Sequence, residues 1–149
     1  MVIFVLVHGS CHGGWCWKKV IPLLSKHSHK VYTSTLTGLG ERTHLVSRDI
    51  GLDTHILDII QVLEYENLNE VMPVGHSYGG LVIGGVAEKV PERIRRLVYL
   101  DAYIPQDKRS AFDIIPGLAA GWNETGRMGL TILIVDILVQ VLSKSSTSS

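Results

Sequence analysis

Apolar, β-branched runs alternate with segments of helical character from the N-terminus to Asp101. The predicted strands cover residues 2–7, 31–36, 70–74 and 95–100. The predicted helices cover residues 15–26, about 53–66 and 78–90. Pro22 places the regular part of the first helix near itself, and Pro91 ends the third. This alternation predicts an α/β fold, a parallel sheet with helices on both faces joined by right-handed crossovers.

The second predicted helix has one apolar face. Asp53 or Thr54 is placed to cap its first turn. Isoleucine and leucine recur along it at helical spacing, at Ile56, Ile59, Ile60 and Leu63. His55 is assigned to the other side of this helix, and we expect it to be a solvated surface residue.

Four loops follow the carboxyl ends of the predicted strands. In an open parallel sheet these ends lie along one edge, where ligands bind. Residues 8–14, residues 38–44, Ser77 and Asp101 should therefore share one rim of the molecule.

Composition excludes several classes of function. The 149 residues have a formal net charge of zero, so we expect no nucleic acid or membrane partner. Cys11 and Cys16 form neither a disulfide framework nor a zinc motif, which predicts reduced thiols and a cytoplasmic location. The apolar N-terminus lacks a basic flank and predicts a strand rather than a signal peptide. Residues 128–142 are too few to span a bilayer and predict a buried segment.

The sequence Gly75-His76-Ser77-Tyr78-Gly79 lies between the third strand and the third helix. This G-x-S-x-G pattern is typical of a nucleophile elbow, in which a strained turn projects a serine hydroxyl above the sheet. Gly75 and Gly79 allow the strand and helix to approach each other. The helix start behind Ser77 offers free N–H groups to a developing oxyanion. Ser77 is therefore the candidate nucleophile, and a simple turn serine is the alternative.

The loop His8-Gly9-Ser10-Cys11-His12-Gly13-Gly14 follows the first strand. An acyl-transfer site takes one oxyanion donor from the N–H after the nucleophile, here Tyr78, and another from a loop after a neighbouring strand. Ser10 is the candidate for the second donor. A flexible glycine loop is the alternative, and a metal site is disfavoured because these ligand types lie on one short loop.

The chain resembles α/β-hydrolases of the esterase and hydroxynitrile-lyase branch. The resemblance covers about residues 3–107 and rests on FVLVHGSCHGGWCW, KVYTSTLTGLGERTHL, LDTHILDII, VGHSYGG and VPERIRRLVYLDAYIPQD. It implies a Ser-Asp-His triad, no cofactor, and small carboxylic esters as substrates.

Residue by residue, the resemblance makes Ser77 the nucleophile and Ser10 and Tyr78 the oxyanion donors. It also makes Gly9, Cys11 and His12 candidate pocket residues. Plant lyases of the branch carry other residues at the positions of Gly9, His76 and Tyr78. The residues found here favour an ester hydrolase over a lyase.

The triad acid and histidine are not recognisable. No histidine follows His76, and Asp101 and Asp107 fall too early for the family's acid. We therefore expect a C-terminally incomplete hydrolase domain over residues 1–110. We expect a divergent helical or apolar segment to follow at residues 111–142, where a cap would start, and then a disordered tail at residues 143–149.

The missing base leaves three functional interpretations open. The first is an esterase that is weak or inactive, because general-base assistance contributes about 10²–10⁴-fold to such reactions. His12 is the nearest substitute base. The second is a non-catalytic binding protein or fragment that retains the pocket, and the third is a hydroxynitrile lyase. An uncovered strand edge beyond residues 95–100 also predicts self-association.

Overall fold

The computed structural model describes residues 1–104, and the predicted segments at 111–142 and 143–149 lie outside this range. Its strands are β1 (Ile3–Val7), β2 (Lys30–Ser34), β3 (Val71–Ser77) and β4 (Val98–Ala102). Its α-helices are α1 (Ile21–Ser25), α2 (Leu52–Tyr65) and α3 (Gly79–Lys89). Short 3-10 helical segments cover Gly14–Trp17, Gly40–Leu45 and Pro91–Arg93, and the second of these is kinked at Arg42.

The four strands form one parallel sheet in the order β2-β1-β3-β4. Alternate residues of β1 face opposite ways because side chains in a strand have a period of two. Val5 and Val7 pack with apolar residues of α2 and α3, whereas Leu6 packs with Trp17 and the residues around α1. Helices therefore cover both faces of the sheet, and the predicted α/β architecture is confirmed.

The starts of α1 and α2 differ from the prediction in their first residue or their cap. The predicted helix at 15–26 is a 3-10 turn followed by α1, which begins at Ile21 with Pro22 in its first turn. Helix α2 is capped by Gly51 rather than by Asp53 or Thr54. The Thr54 hydroxyl instead accepts a hydrogen bond from the Gly51 N–H at 3.2 Å, so Thr54 serves the cap from inside the helix.

Pro73 lies in a central strand without breaking the sheet. It is in register with Val5 of β1, and continuous pairing of β3 with β4 begins only at Val74. The Val71 carbonyl accepts from the Arg95 N–H at 2.8 Å, so this carbonyl faces the β4 side. In a parallel strand the residue two positions later faces the same way. The missing N–H of Pro73 is therefore directed at a stretch where β4 has not yet started.

Within residues 1–104, no helix has the length and apolar character needed to cross a membrane.

Candidate active site

Ser77 ends β3 in a left-handed backbone conformation, with φ of +53°. A non-glycine residue in this region costs about 1–3 kcal/mol and persists only where its surroundings hold it. The turn is tied to the chain after β4, because the Ser77 carbonyl accepts a hydrogen bond from the Tyr103 N–H at 3.1 Å. The pairing of β3 with β4 also shifts register between His76 and Ser77. Ser77 therefore sits on a sharp strand-to-helix turn.

Gly75 and Gly79 lie where two backbones nearly touch. A Cβ atom on Gly75 would be 2.5 Å from the carbonyl oxygen of Gly79. A Cβ atom on Gly79 would be 2.5 Å from the carbonyl oxygen of Val7. Both contacts are with backbone atoms, which cannot rotate away. The small residues therefore allow α3 to begin directly against the ends of β3 and β1.

The loop after β1 packs against the turn at Ser77. A Cβ atom on Gly9 would lie 3.2 Å from the Ser77 Cβ, and the Gly9 carbonyl accepts from the His12 N–H at 3.2 Å. Ser10 is half-buried next to this contact, whereas Cys11 is exposed. Two of the three sequence-predicted pocket residues, Gly9 and His12, are thus fixed in one tight turn close to Ser77.

His8 joins the ends of β1 and β2 beneath this loop. It is fully buried, and its Nε2 accepts a hydrogen bond from the Leu36 N–H at 2.9 Å. Its Nδ1 lies 2.6 Å from the Gly9 carbonyl, which can only accept, so we assign the proton to Nδ1. Burial lowers the pKa of His8. The neutral ring therefore braces the loop that carries Ser10, a role that the sequence did not reveal.

The loop after β2 meets the loop after β1, as the rim argument predicted. The Thr35 hydroxyl accepts from the Gly14 N–H at 2.9 Å and donates to the Glu41 carboxylate. This hydrogen bond lowers the pKa of Glu41. Arg42 donates to the Thr35 carbonyl at 2.9 Å. Thr35 therefore fastens the two loops together beside the site.

Two further histidines lie on the rim. The ring of His76 is 6.0 Å from that of His12 and 6.5 Å from that of Trp17, measured between centroids. Burial lowers the pKa of His76, and the nearby His12 adds to this effect. In the described range, no hydrogen bond joins either histidine to Ser77. No group of three or more histidine, cysteine, aspartate or glutamate residues there is arranged to hold a metal ion.

The prediction that His55 is a surface residue is wrong. His55 is only 2 % exposed, and its ring nitrogens lie 2.7 Å from the Tyr78 hydroxyl and 2.8 Å from the Thr37 carbonyl. The spacing contained the signal, because His55 precedes the buried Ile59 by four residues and Leu63 by eight. Residues at this spacing share one helix face. The prediction of exposure rests on the polarity of histidine, whereas the spacing of His55 indicates burial.

Comparison with known proteins identifies consistent relatives. Residues 4–140 match the model of the alpha/beta hydrolase family. A carbendazim hydrolyzing esterase of Nocardioides sp. (strain SG-4G) is 48% identical over 116 residues, which is 78% of this chain and 48% of that protein. Methylesterase 1 of Arabidopsis thaliana is 37% identical over 128 residues, which is 85% of this chain and 49% of that protein. The chain thus spans about half the length of these relatives.

A solved structure agrees with the fold. The extracellular alpha/beta-hydrolase from a Paenibacillus species superposes with a TM-score of 0.76 at 29% identity. The match covers 85% of this chain and 53% of that one.

Proposed function

Since the chain belongs to the alpha/beta hydrolase family, we propose that it is a serine hydrolase of small carboxylic esters with Ser77 as its nucleophile. The observation that carries the proposal is the backbone of Ser77, with φ of +53° at the junction of β3 and α3. Such a turn presents a serine side chain at the carboxyl edge of the sheet. The names of the relatives, a carbendazim hydrolyzing esterase and a methylesterase, support ester chemistry over cyanohydrin cleavage.

In the proposed reaction the Ser77 hydroxyl oxygen attacks the ester carbonyl carbon, its proton passes to solvent, and the carbonyl oxygen becomes an oxyanion as the C=O π bond breaks. The C=O bond then re-forms and expels the alkoxide, which takes a proton from solvent, and water hydrolyses the acyl-Ser77 to the acid. The N–H groups of Tyr78 and Ser10 would stabilise this charge, each from a backbone position fixed by its neighbours. Tyr78 stands at the start of α3, and the Ser10 loop packs against Ser77 through Gly9. Preorganised donors of this kind contribute about 10²–10³-fold each to the rate.

No general base for Ser77 is identified among the described residues. No histidine of residues 1–104 hydrogen-bonds Ser77, and the sequence contains none after His76. An oxyanion hole and substrate binding without a complete triad retain about 10³–10⁴-fold acceleration over water. We therefore expect the 149-residue chain to react slowly with activated esters, with Ser77 as the site of reaction.

A binding protein is the second candidate function, and it is favoured by the absence of a hydrogen bond from any histidine of residues 1–104 to Ser77. The turn at Ser77 and the loop beside it are formed while no histidine of residues 1–104 hydrogen-bonds the serine. Such a protein would hold an ester or its acid without turning it over.

Intact-mass labelling with a fluorophosphonate tests the choice. We expect a slow single adduct on the 149-residue chain, no adduct on Ser77→Ala, and the parental rate on Ser25→Ala, an exposed serine in α1. A folded chain that forms no adduct refutes the catalytic proposal. Stabilisation of that same chain by a carboxylic ester would then support the binding alternative.

A further inference from the structure

His55 connects helix α2 to the proposed elbow through the Tyr78 side chain. The Thr37 carbonyl can only accept a hydrogen bond, so the His55 Nε2 at 2.8 Å carries the proton. Burial lowers the pKa of His55 and keeps the ring neutral, so its Nδ1 must accept. The Tyr78 hydroxyl, 2.7 Å away, is therefore the donor. This pattern fixes the direction of both hydrogen bonds.

Thr37, at the other end of this connection, is also held by hydrogen bonds to α2. Thr37 donates its backbone N–H to one carboxylate oxygen of Asp58 and its hydroxyl to the other, each at 2.7 Å. Asp58 lies three residues after His55 on α2, so both side chains project from the same part of the helix surface. One face of α2 thus holds the loop after β2 and the Tyr78 side chain simultaneously.

Tyr78 directly follows the strained residue of the elbow. It is the cap residue of α3, and its carbonyl accepts from the Leu81 N–H at 3.0 Å. Burial raises the pKa of Tyr78, so its hydroxyl stays protonated and remains a donor at physiological pH. A side chain held at its tip restricts the backbone that carries it, including the N–H that we assign to the oxyanion hole.

We propose that His55 is a positioning residue, which fixes the Tyr78 main-chain N–H and the adjacent Ser77 turn by accepting the Tyr78 hydroxyl hydrogen bond. This inference rests on the proposed function only for its catalytic consequence. The positioning itself is a property of the backbone at residues 77–79. The two aspects can therefore be measured separately.

The test uses Tyr78→Phe, His55→Leu, and the variant that combines them, with Tyr65→Phe as the matched control. Tyr65 lies on α2 with 87% of its surface exposed, so the loss of its hydroxyl should change nothing. Because a misplacement of 1 Å can cost about 10²-fold, we expect a smaller loosening in Tyr78→Phe to slow fluorophosphonate labelling of Ser77 about tenfold. The Leu81 amide, which donates to the Tyr78 carbonyl, should exchange with solvent about tenfold faster, as expected if the same loosening opens the turn.

The combined variant separates positioning from ordinary stabilisation. Tyr78→Phe leaves the His55 Nδ1 unpaired, whereas His55→Leu leaves both the Tyr78 hydroxyl and the Thr37 carbonyl unpaired. The combined variant leaves only the Thr37 carbonyl unpaired, and removing both members of a hydrogen-bonded pair can be nearly neutral for stability. We therefore expect the combined variant to unfold at a higher denaturant midpoint than His55→Leu, while labelling stays slow and the Leu81 amide still exchanges fast. Recovery of all three quantities together would show a structural role only and overturn the proposal.

Failure of the inference and failure of the proposed function give different results. If Ser77→Ala abolishes labelling but Tyr78→Phe labels at the parental rate, the inference is wrong and the function stands. If the parent shows no Ser77-dependent adduct, the function is wrong, and amide exchange alone decides the positioning role. Equal exchange of the Leu81 amide in the parent and in Tyr78→Phe overturns it.

Discussion

Replacing Gly79 with alanine should displace helix α3 from strand β1. The added methyl would lie 2.5 Å from the Val7 carbonyl oxygen and 2.9 Å from that of His8. Carbon–oxygen contacts of this type normally begin at about 3.3 Å, so the methyl intrudes by about 0.8 Å. β1 is paired on both sides and cannot yield, so the helix start must move.

Two opposing terms set the size of the effect on stability. Alanine favours a helix over glycine by about 1 kcal/mol. Overpacking a tight contact costs about 1–3 kcal/mol and more when backbone is involved. We expect a net decrease of about 1–2 kcal/mol in the free energy of unfolding, measured by urea titration. A shift of nearly 1 Å at the Tyr78 N–H should also slow fluorophosphonate labelling of Ser77 about 10²-fold.

Gly85→Ala is the matched control on the same helix. Its methyl would press on Cδ1 of Ile56 and lie 2.8 Å from its Cγ1, so it meets a side chain rather than backbone. Ile56 is buried and β-branched, which restricts its rotamers, so we expect overpacking to cost about 1–3 kcal/mol, offset by about 1 kcal/mol of helix propensity. Labelling of Ser77 should be unchanged. If Gly79→Ala keeps parental stability and labelling, the close approach of α3 to β1 is not what builds the elbow.

Two further predictions concern stability. Burial lowers the pKa of His8 and His55 below 6.5, so the unfolded chain binds more protons than the native state near that pH. Stability should therefore fall from pH 7.5 towards pH 5.5, by at most about 1.4 kcal/mol per pH unit for each histidine; urea midpoints that stay constant over this range would contradict the assignment. Gly51→Ser should stabilise the protein by about 0.3 kcal/mol, because serine caps a helix slightly better than glycine and no atom lies within 4 Å of the new Cβ. An unchanged urea midpoint would show that α2 does not depend on its cap.

The architecture was readable from the sequence because its signals are local. Apolar runs and helical spacing report which faces are buried, and their alternation leaves few topologies for a parallel sheet. The strand-to-helix turn at Ser77 could also be predicted, because a glycine two residues to each side of Ser77, between a strand and a helix, is a property of a short segment. The predicted ends of strands and helices are less accurate than their predicted order. The fourth strand runs over Val98–Ala102 rather than 95–100. The residues before Val98 pair with β3 only at an isolated bridge between Ile94 and Val71, so they are not part of the strand.

His55 shows where reading the sequence failed. A histidine among isoleucines could face solvent or the core, and the choice depends on whether buried partners exist for both ring nitrogens. Those partners are Tyr78 and Thr37, which lie 23 and 18 residues away in sequence. Burying a polar group is unfavourable unless it is hydrogen-bonded, so a side chain's environment is decided by contacts that no local pattern contains.

Residue patterns alone predict the order of strands and helices, the common edge of their loops, and the serine at the strand-to-helix turn. These predictions follow from the periodicity of apolar residues and from Gly75 and Gly79, which allow the backbones around Ser77 to approach closely. The roles of His8, which braces the loop after β1, and of His55, which holds the Tyr78 side chain, become visible only in the folded structure. Both histidines satisfy backbone and side-chain partners from distant segments, and such pairings exist only once the sheet and helices have assembled.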